Sequence, residues 1–335
     1  MDPGVLRSVF SDLIGRPPLA TEREEWSGRS LADLLGAWIG SEAFWRHWWE
    51  EQLYYLLLVD SFRPETDRIL AVPGDLKSGR IHVRDALHRA ALTPTFDLRN
   101  PGADTFVTVM MEQFCGLQVD RERGELEAGK RAYDGNKVRF LGEAAANQSD
   151  LIRVCVEHQD AARHLLGREH ERMLRAPLER RDLVRQARKL LDDPYAFLDI
   201  IRGWLGGPGY AARLLARYPK SNRLFVRGLF VDLMGRLPED VELESMRTAL
   251  DGLADSRPLR SVLSRMLLDS GDANLPAKGS IEDATAWVRG QFERLLGRSP
   301  TQDELKAFVT AFHKPECEPR TILYALVSHP EYHLS

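Results

Sequence analysis

Apolar residues recur along the chain at three- and four-residue intervals, and the clearest such run occurs three times. The segments LRSVFSDLIGRPPLATEREEW, VRGLFVDLMGRLPEDVELESM and VRGQFERLLGRSPTQDELKAF align without gaps on Gly15, Gly235 and Gly297. Nine residues before the glycine stands Leu6, Val226 or Val288, and five before it stands Phe10, Phe230 or Phe292. Leucine lies two before it, and a further apolar residue directly precedes it. These positions follow i, i+4, i+7, i+8, the stripe of one helix face. The glycine falls where that helix ends, and a residue without Cβ closes the last turn in the left-handed conformation at little cost. Proline three residues later (Pro18, Pro238, Pro300) suits the opening of a second helix. Thr21-x-x-Glu24 and Thr301-x-x-Glu304 read as capping boxes just beyond it.

A further helix is expected to complete each copy, over Ser30–Gly40, Leu259–Asp269 and Arg320–Ser328. Helix patterns before Gly116 (TFVTVMMEQFCG) and Pro177 (HERMLRAP), and the phrases LTPTF and LDDPYAF, read as decayed copies. The expected fold class is therefore all-α: tandem helix–hinge–helix hairpins stacked into an elongated or two-lobed array. No alternating stretch is long enough for a sheet, although the irregular segments 60–80 and 118–147 leave room for a short strand. Those segments hold VPGDLKSG and DRERGELEAGKRAYDGNK and read as long loops. The expected divisions are 1–60 (first repeat with an aromatic helix), 61–205 (central region) and 210–335 (C-terminal pair of repeats). The break between the last two falls at GWLGGPGY.

The repeated charges add to this picture. Arginine follows each glycine (Arg16, Arg236, Arg298), and glutamate stands seven residues after it (Glu22, Glu242, Glu304). A cation is favoured at a helix C-terminus, and arginine pairs with carboxylate through two parallel hydrogen bonds. Three equivalent copies point to a structural clasp rather than a catalytic centre.

Composition narrows the function classes. The formal net charge of -4 gives no global pull toward nucleic acid or an anionic membrane. Three separated cysteines, Cys115, Cys155 and Cys317, make no disulfide framework and fit a reducing compartment, so a cytoplasmic location is expected. MDPGVLRSVF lacks the apolar core of a secretory signal. The longest apolar run, around Leu53–Val59, is far short of the roughly 20 residues of a membrane helix.

The pattern L-[IML]-G-R-x-P, followed by an acidic helix and a leucine-rich helix ending in SEAF or SHPEY, resembles a helical domain of unknown function abundant in planctomycete-type proteins. FWRHWWEEQLYYLLL resembles that family's continuation. A more distant similarity is to the helical repeats of phycobilisome linkers. The linker-like resemblance implies a scaffold. The family usually continues into a cysteine–histidine motif, whereas MEQFCGLQVD offers only Cys115, so no redox or haem role carries over.

Candidate sites are few. The aromatic helix holds Trp45 and Trp49, which either fill a core or line a groove for a partner. Arg181, Arg185 and Arg188 share one face of a predicted helix over 178–191, opposite Leu183, Ala187, Leu190 and Leu191. That face is either solvated or suited to an acidic partner or a phosphate backbone. His158, His164 and His170 fall on different helix faces, Cys155 and His158 alone do not define a zinc site, and Pro330 separates His329 from His333. No nucleophile elbow, P-loop or dinucleotide fingerprint is present. No catalytic, cofactor-binding or metal residue is therefore assigned. The expected function is a non-enzymatic scaffold or protein–protein interaction protein. Two alternatives stand beside it. One is an enzyme or ligand-binding module with its site in loops 60–80 and 118–147, around Arg123, Arg131, Tyr133, Asp134 and Lys137. The other is binding of an anionic partner or nucleic acid through the basic helix.

Overall fold

A computed structural model describes residues 1–57 and 67–334. The protein is all-α, about 69% helical, and its only strands among the described residues are β1 (Val138–Phe140) and β2 (Glu143–Ala145). These form one antiparallel hairpin in which Val138 faces Ala145 and Phe140 faces Glu143.

Contacts divide the chain into two compact units, one of residues 1–36 with 214–335 and one of residues 37–213. This grouping does not follow chain order. The first glycine hinge belongs with the C-terminal pair, and the aromatic helix belongs with the central region. The expected boundary at 60/61 lies outside the described residues.

In the first unit, three stretches have the same succession of helices. They are Pro3–Ile14, Ala20–Trp26 and Leu31–Trp38, the last running past residue 36; Asn222–Leu229 with its continuation Phe230–Met234, Asp240–Asp251 and Arg257–Asp269; and Ala284–Leu296, Gln302–Phe312 and Pro319–Val327. The apolar stripe read from the sequence is the buried face. Phe225, Val226, Leu229, Phe230 and Leu233 of the second stretch share a core with Val288, Phe292, Leu295 and Leu296 of the third. Helix Pro3–Ile14 packs on Ala284–Leu296. Their backbones come close enough that a Cβ at Gly4 would lie 2.6 Å from the Gly297 carbonyl oxygen.

In the second unit, helix Glu42–Leu57 is the aromatic helix, and its Trp48 and Trp49 are fully buried. The segment 118–147, expected as a long loop, is mostly ordered structure: helix Arg123–Tyr133 followed by the hairpin. Its buried face is Ala128, Gly129 and Ala132, and the helix packs on Gly102–Val109. A Cβ at Gly129 would meet the Val107 side chain at 2.5 Å, so the missing side chain is what lets the two helices approach. Part of the other expected loop is also helical, at Asp67–Leu70 and Val72–Lys77, while residues 58–66 lie outside the described residues.

Candidate functional site

The three hinges have one geometry. Gly15, Gly235 and Gly297 take φ values of 68°, 69° and 67°, and each donates its N–H to the carbonyl four residues back. The following arginine forms two parallel hydrogen bonds with the glutamate at plus seven. They measure 2.6 and 2.6 Å for Arg16–Glu22, 2.8 and 2.8 Å for Arg236–Glu242, and 2.8 and 2.8 Å for Arg298–Glu304. The same carboxylate accepts the N–H of the residue that caps the second helix, Leu19, Glu239 or Thr301, at 2.7 to 2.8 Å. The guanidinium also donates to the carbonyl before the repeated proline (Pro17, Leu237, Ser299) and lies over the repeated phenylalanine (Phe10, Phe230, Phe292). One ion pair thus ties the end of the first helix, the turn and the start of the second.

Two details differ from the sequence expectation. The proline sits one residue before the cap rather than at the first helical position. There its ring restricts the preceding residue to extended backbone. The Thr21–Glu24 capping box does not form, because the helix already begins at Ala20 and Glu22 supplies the cap. The Thr301–Glu304 box does form. Gly116 (φ 66°) likewise ends the helix pattern that precedes it in the left-handed conformation, but without an arginine after it.

The hydrogen bonds, not burial, set the electrostatics of the three carboxylates. For Glu22, desolvation pushes the carboxyl up, but the bonds from Arg16 and the Leu19 N–H outweigh it and hold it below the ordinary range. The Arg236 bond lowers Glu242, and the Arg298 bond brings Glu304 down to about 2. Arg298 also pairs with Glu331 at 2.7 Å. The repeated charges are therefore engaged within the hinges.

A buried polar cluster that sequence reasoning did not identify lies in the same unit. Arg7 binds Asp232 through both nitrogens, at 3.0 and 2.5 Å, across a sequence separation of 225 residues. The Tyr332 hydroxyl donates to Asp232 Oδ2, the oxygen that also accepts from Arg7, at 2.8 Å, and Arg294 donates to the Asp232 carbonyl oxygen. The Lys220 side-chain nitrogen donates to the Tyr332 carbonyl and lies 4.2 Å from the Tyr332 ring centroid. Burial raises the Asp232 carboxyl, but the Arg7 charge and hydrogen bond outweigh this and lower it. Burial, reinforced by Arg7, holds Lys220 well below the usual lysine range. Burial and the Asp232 charge push the Tyr332 phenol well up. The signal in the sequence was the arginine eight residues before each glycine. Its three copies have different fates: Arg7 is buried, Arg227 reaches the Gly15 carbonyl at 3.5 Å, and Arg289 is exposed.

The remaining candidates are scattered. Trp45 and Trp49 are 4% and 0% exposed and so are not surface contacts for a partner. The Trp45 ring stacks on Phe197, and the Trp49 indole donates to the Ile69 carbonyl at 3.2 Å. Arg181, Arg185 and Arg188 are exposed on helix Arg180–Asp192, whose opposite face buries Ala187 and Leu190. Arg123, Arg131, Asp134 and Lys137 are exposed along helix Arg123–Tyr133 and the turn after it, and the Tyr133 ring rests on Phe106. The histidines do not converge. His158 caps a helix, His170 bonds the Ala176 carbonyl, and His164 meets the Tyr55 hydroxyl at 3.1 Å. Burial and the neighbouring Arg168 bring His164 down to about 4. Among the described residues, no three histidine, cysteine or acidic side chains gather as a metal site. No helix among them is long and apolar enough to cross a membrane.

Comparison with known proteins found no matching family model, no similar curated protein and no similar solved structure.

Proposed function

We propose that this protein is a non-enzymatic interaction protein, an all-α scaffold whose exposed helix Arg180–Asp192 contacts an acidic protein partner. The observation that carries this reading is where the charges are used. The repeated ion pairs close hinges, and the perturbed groups Asp232, Lys220 and Tyr332 are buried in a core. Helix Arg180–Asp192 instead presents Arg180, Arg181, Arg185, Arg188 and Lys189 against only Asp182 and Asp192. Its internal pairs are weak: Arg185–Asp182 is 73% and 38% exposed, and Arg188 lies 4.0 Å from Asp192. Exposed pairs contribute about 0–1 kcal/mol, so little holds these cations from an acidic surface.

The test is capture of the full chain with its native complexes, followed by mass measurement of what is retained. The wild type should hold a stoichiometric protein partner, and the triple variant Arg181→Glu, Arg185→Glu, Arg188→Glu should lose it. A monomer with no retained protein, or a partner held equally by the variant, would count against the reading. Retained nucleic acid, with affinity falling steeply as salt rises, would assign the face to a phosphate backbone instead.

A further inference from the structure

We propose that the first unit holds a binding site for a small oxyanion of the phosphate class, formed by Arg7, Arg23 and Arg294. These three guanidinium groups line one cleft of about 240 Å³, whose apolar wall includes Pro3, Leu6 and Pro18. Drug-sized ligands occupy pockets of roughly 300–1,000 Å³, so this cleft suits a small ion or a single phosphoryl group.

The charges in the cleft do not balance. Asp232 neutralises Arg7 from behind. Among the described residues, neither Arg23 nor Arg294 has a carboxylate within ion-pair distance. Arg23 spends one nitrogen on the Pro18 carbonyl, at 2.9 Å, and its Nε and Nη2 have no acceptor among the described residues. Arg294 spends its donors on neutral oxygens, the Gln291 side chain and the Asp232 carbonyl. The wall carries one carboxylate, Glu293, which accepts from the Ser299 hydroxyl at 2.9 Å. Burial lowers the Arg23 guanidinium, and the Arg294 and Arg7 charges lower it while the Asp232 charge opposes them. The Arg23 fork faces the cavity beside the Arg7 and Arg294 charges and matches the bidentate geometry of a phosphate, and an arriving dianion would relieve the repulsion among the three guanidinium groups.

This site is independent of the basic helix and is tested without a protein partner. The probe is inorganic phosphate, titrated calorimetrically into the full chain in a zwitterionic buffer at constant chloride. Saturable binding at one site per chain is expected. Arg23→Gln should weaken it by about 10-fold or more, because a hydrogen bond to a charged group contributes about 1.5–3 kcal/mol. Glu293→Gln should tighten it, an outcome that general damage to the fold would not produce. O-phosphoserine serves as a second probe: tighter binding than phosphate assigns the site to a phosphate ester, weaker binding to the free ion. Absence of saturable binding to the wild type, or unchanged affinity in Arg23→Gln, would overturn the proposal.

Discussion

Replacing Asp232 with asparagine tests how the first unit is held together. The carboxylate accepts two bonds from Arg7 and one from Tyr332, and its side chain is fully buried. Arg7 is itself only 10% exposed, so Asp232→Asn leaves a buried guanidinium facing an amide whose NH2 group can only donate. Breaking one partner of a buried pair costs about 3–5 kcal/mol, against a typical domain stability of about 5–15 kcal/mol. For a unit of this size, each kcal/mol shifts the melting temperature by about 2–4 °C, giving an expected drop of roughly 6–20 °C. Urea and thermal unfolding followed by circular dichroism measure this, and amide exchange assigns the loss to helices Pro3–Ile14 and Asn222–Leu229. Arg7→Met in the Asp232→Asn background should cost less than the sum of the two single changes, because no lone buried charge remains. The Asp232 carboxyl is lowered in the folded state, so its stabilisation is complete above the unfolded value of about 3.9 and is lost as pH falls through the folded value. The gap between wild type and variant should therefore close on acidification below about pH 4. A loss under 1 kcal/mol at neutral pH, or strict additivity with Arg7→Met, would refute the account.

Three further outcomes follow from the geometry. Glu22→Gln should destabilise by about 1–2 kcal/mol and Glu242→Gln by less than about 1 kcal/mol, because Arg16–Glu22 is 13% and 16% exposed whereas Arg236–Glu242 is 44% and 32% exposed. Parallel chemical denaturation of the two variants checks that order. Gly4→Ala places a methyl group 2.6 Å from the Gly297 carbonyl oxygen and should cost about 1–3 kcal/mol in thermal unfolding, while Gly28→Ser, at a left-handed position with open space around it, should cost less. Lys220→Met should gain stability relative to the wild type as pH is lowered from about 10 to 7. The folded lysine titrates well below the unfolded one, so the wild type loses stability over that interval as its unfolded state takes up the proton. Unfolding free energies of both proteins across this range test the sign, and parallel curves would contradict it.

The hinges were legible in the sequence because every interaction in them is local. A glycine, the arginine beside it and the glutamate six residues after that arginine lie within a single turn of chain, so backbone sterics and one ion pair specify the geometry wherever the pattern occurs. The amphipathic stripes were legible for the same reason: burying an apolar face needs only the helix period. Helix Arg123–Tyr133 was missed because its buried face consists of alanine and glycine, residues that carry little hydrophobic signal but permit close helix contact. Aromatics on several faces of one helix pointed to a core rather than a groove, and the burial of Trp45 and Trp49 agrees, but which neighbours enclose them only the packing decided.

The sequence by itself determined the hinge helices, their left-handed glycine stops and the clasp that joins one helix to the next. Only the tertiary structure decided that residues 1–36 join 214–335, and that of three identical arginines one meets a buried aspartate while another faces solvent. Pairing across more than two hundred residues depends on how whole helices pack, and no local energy along the chain encodes that choice.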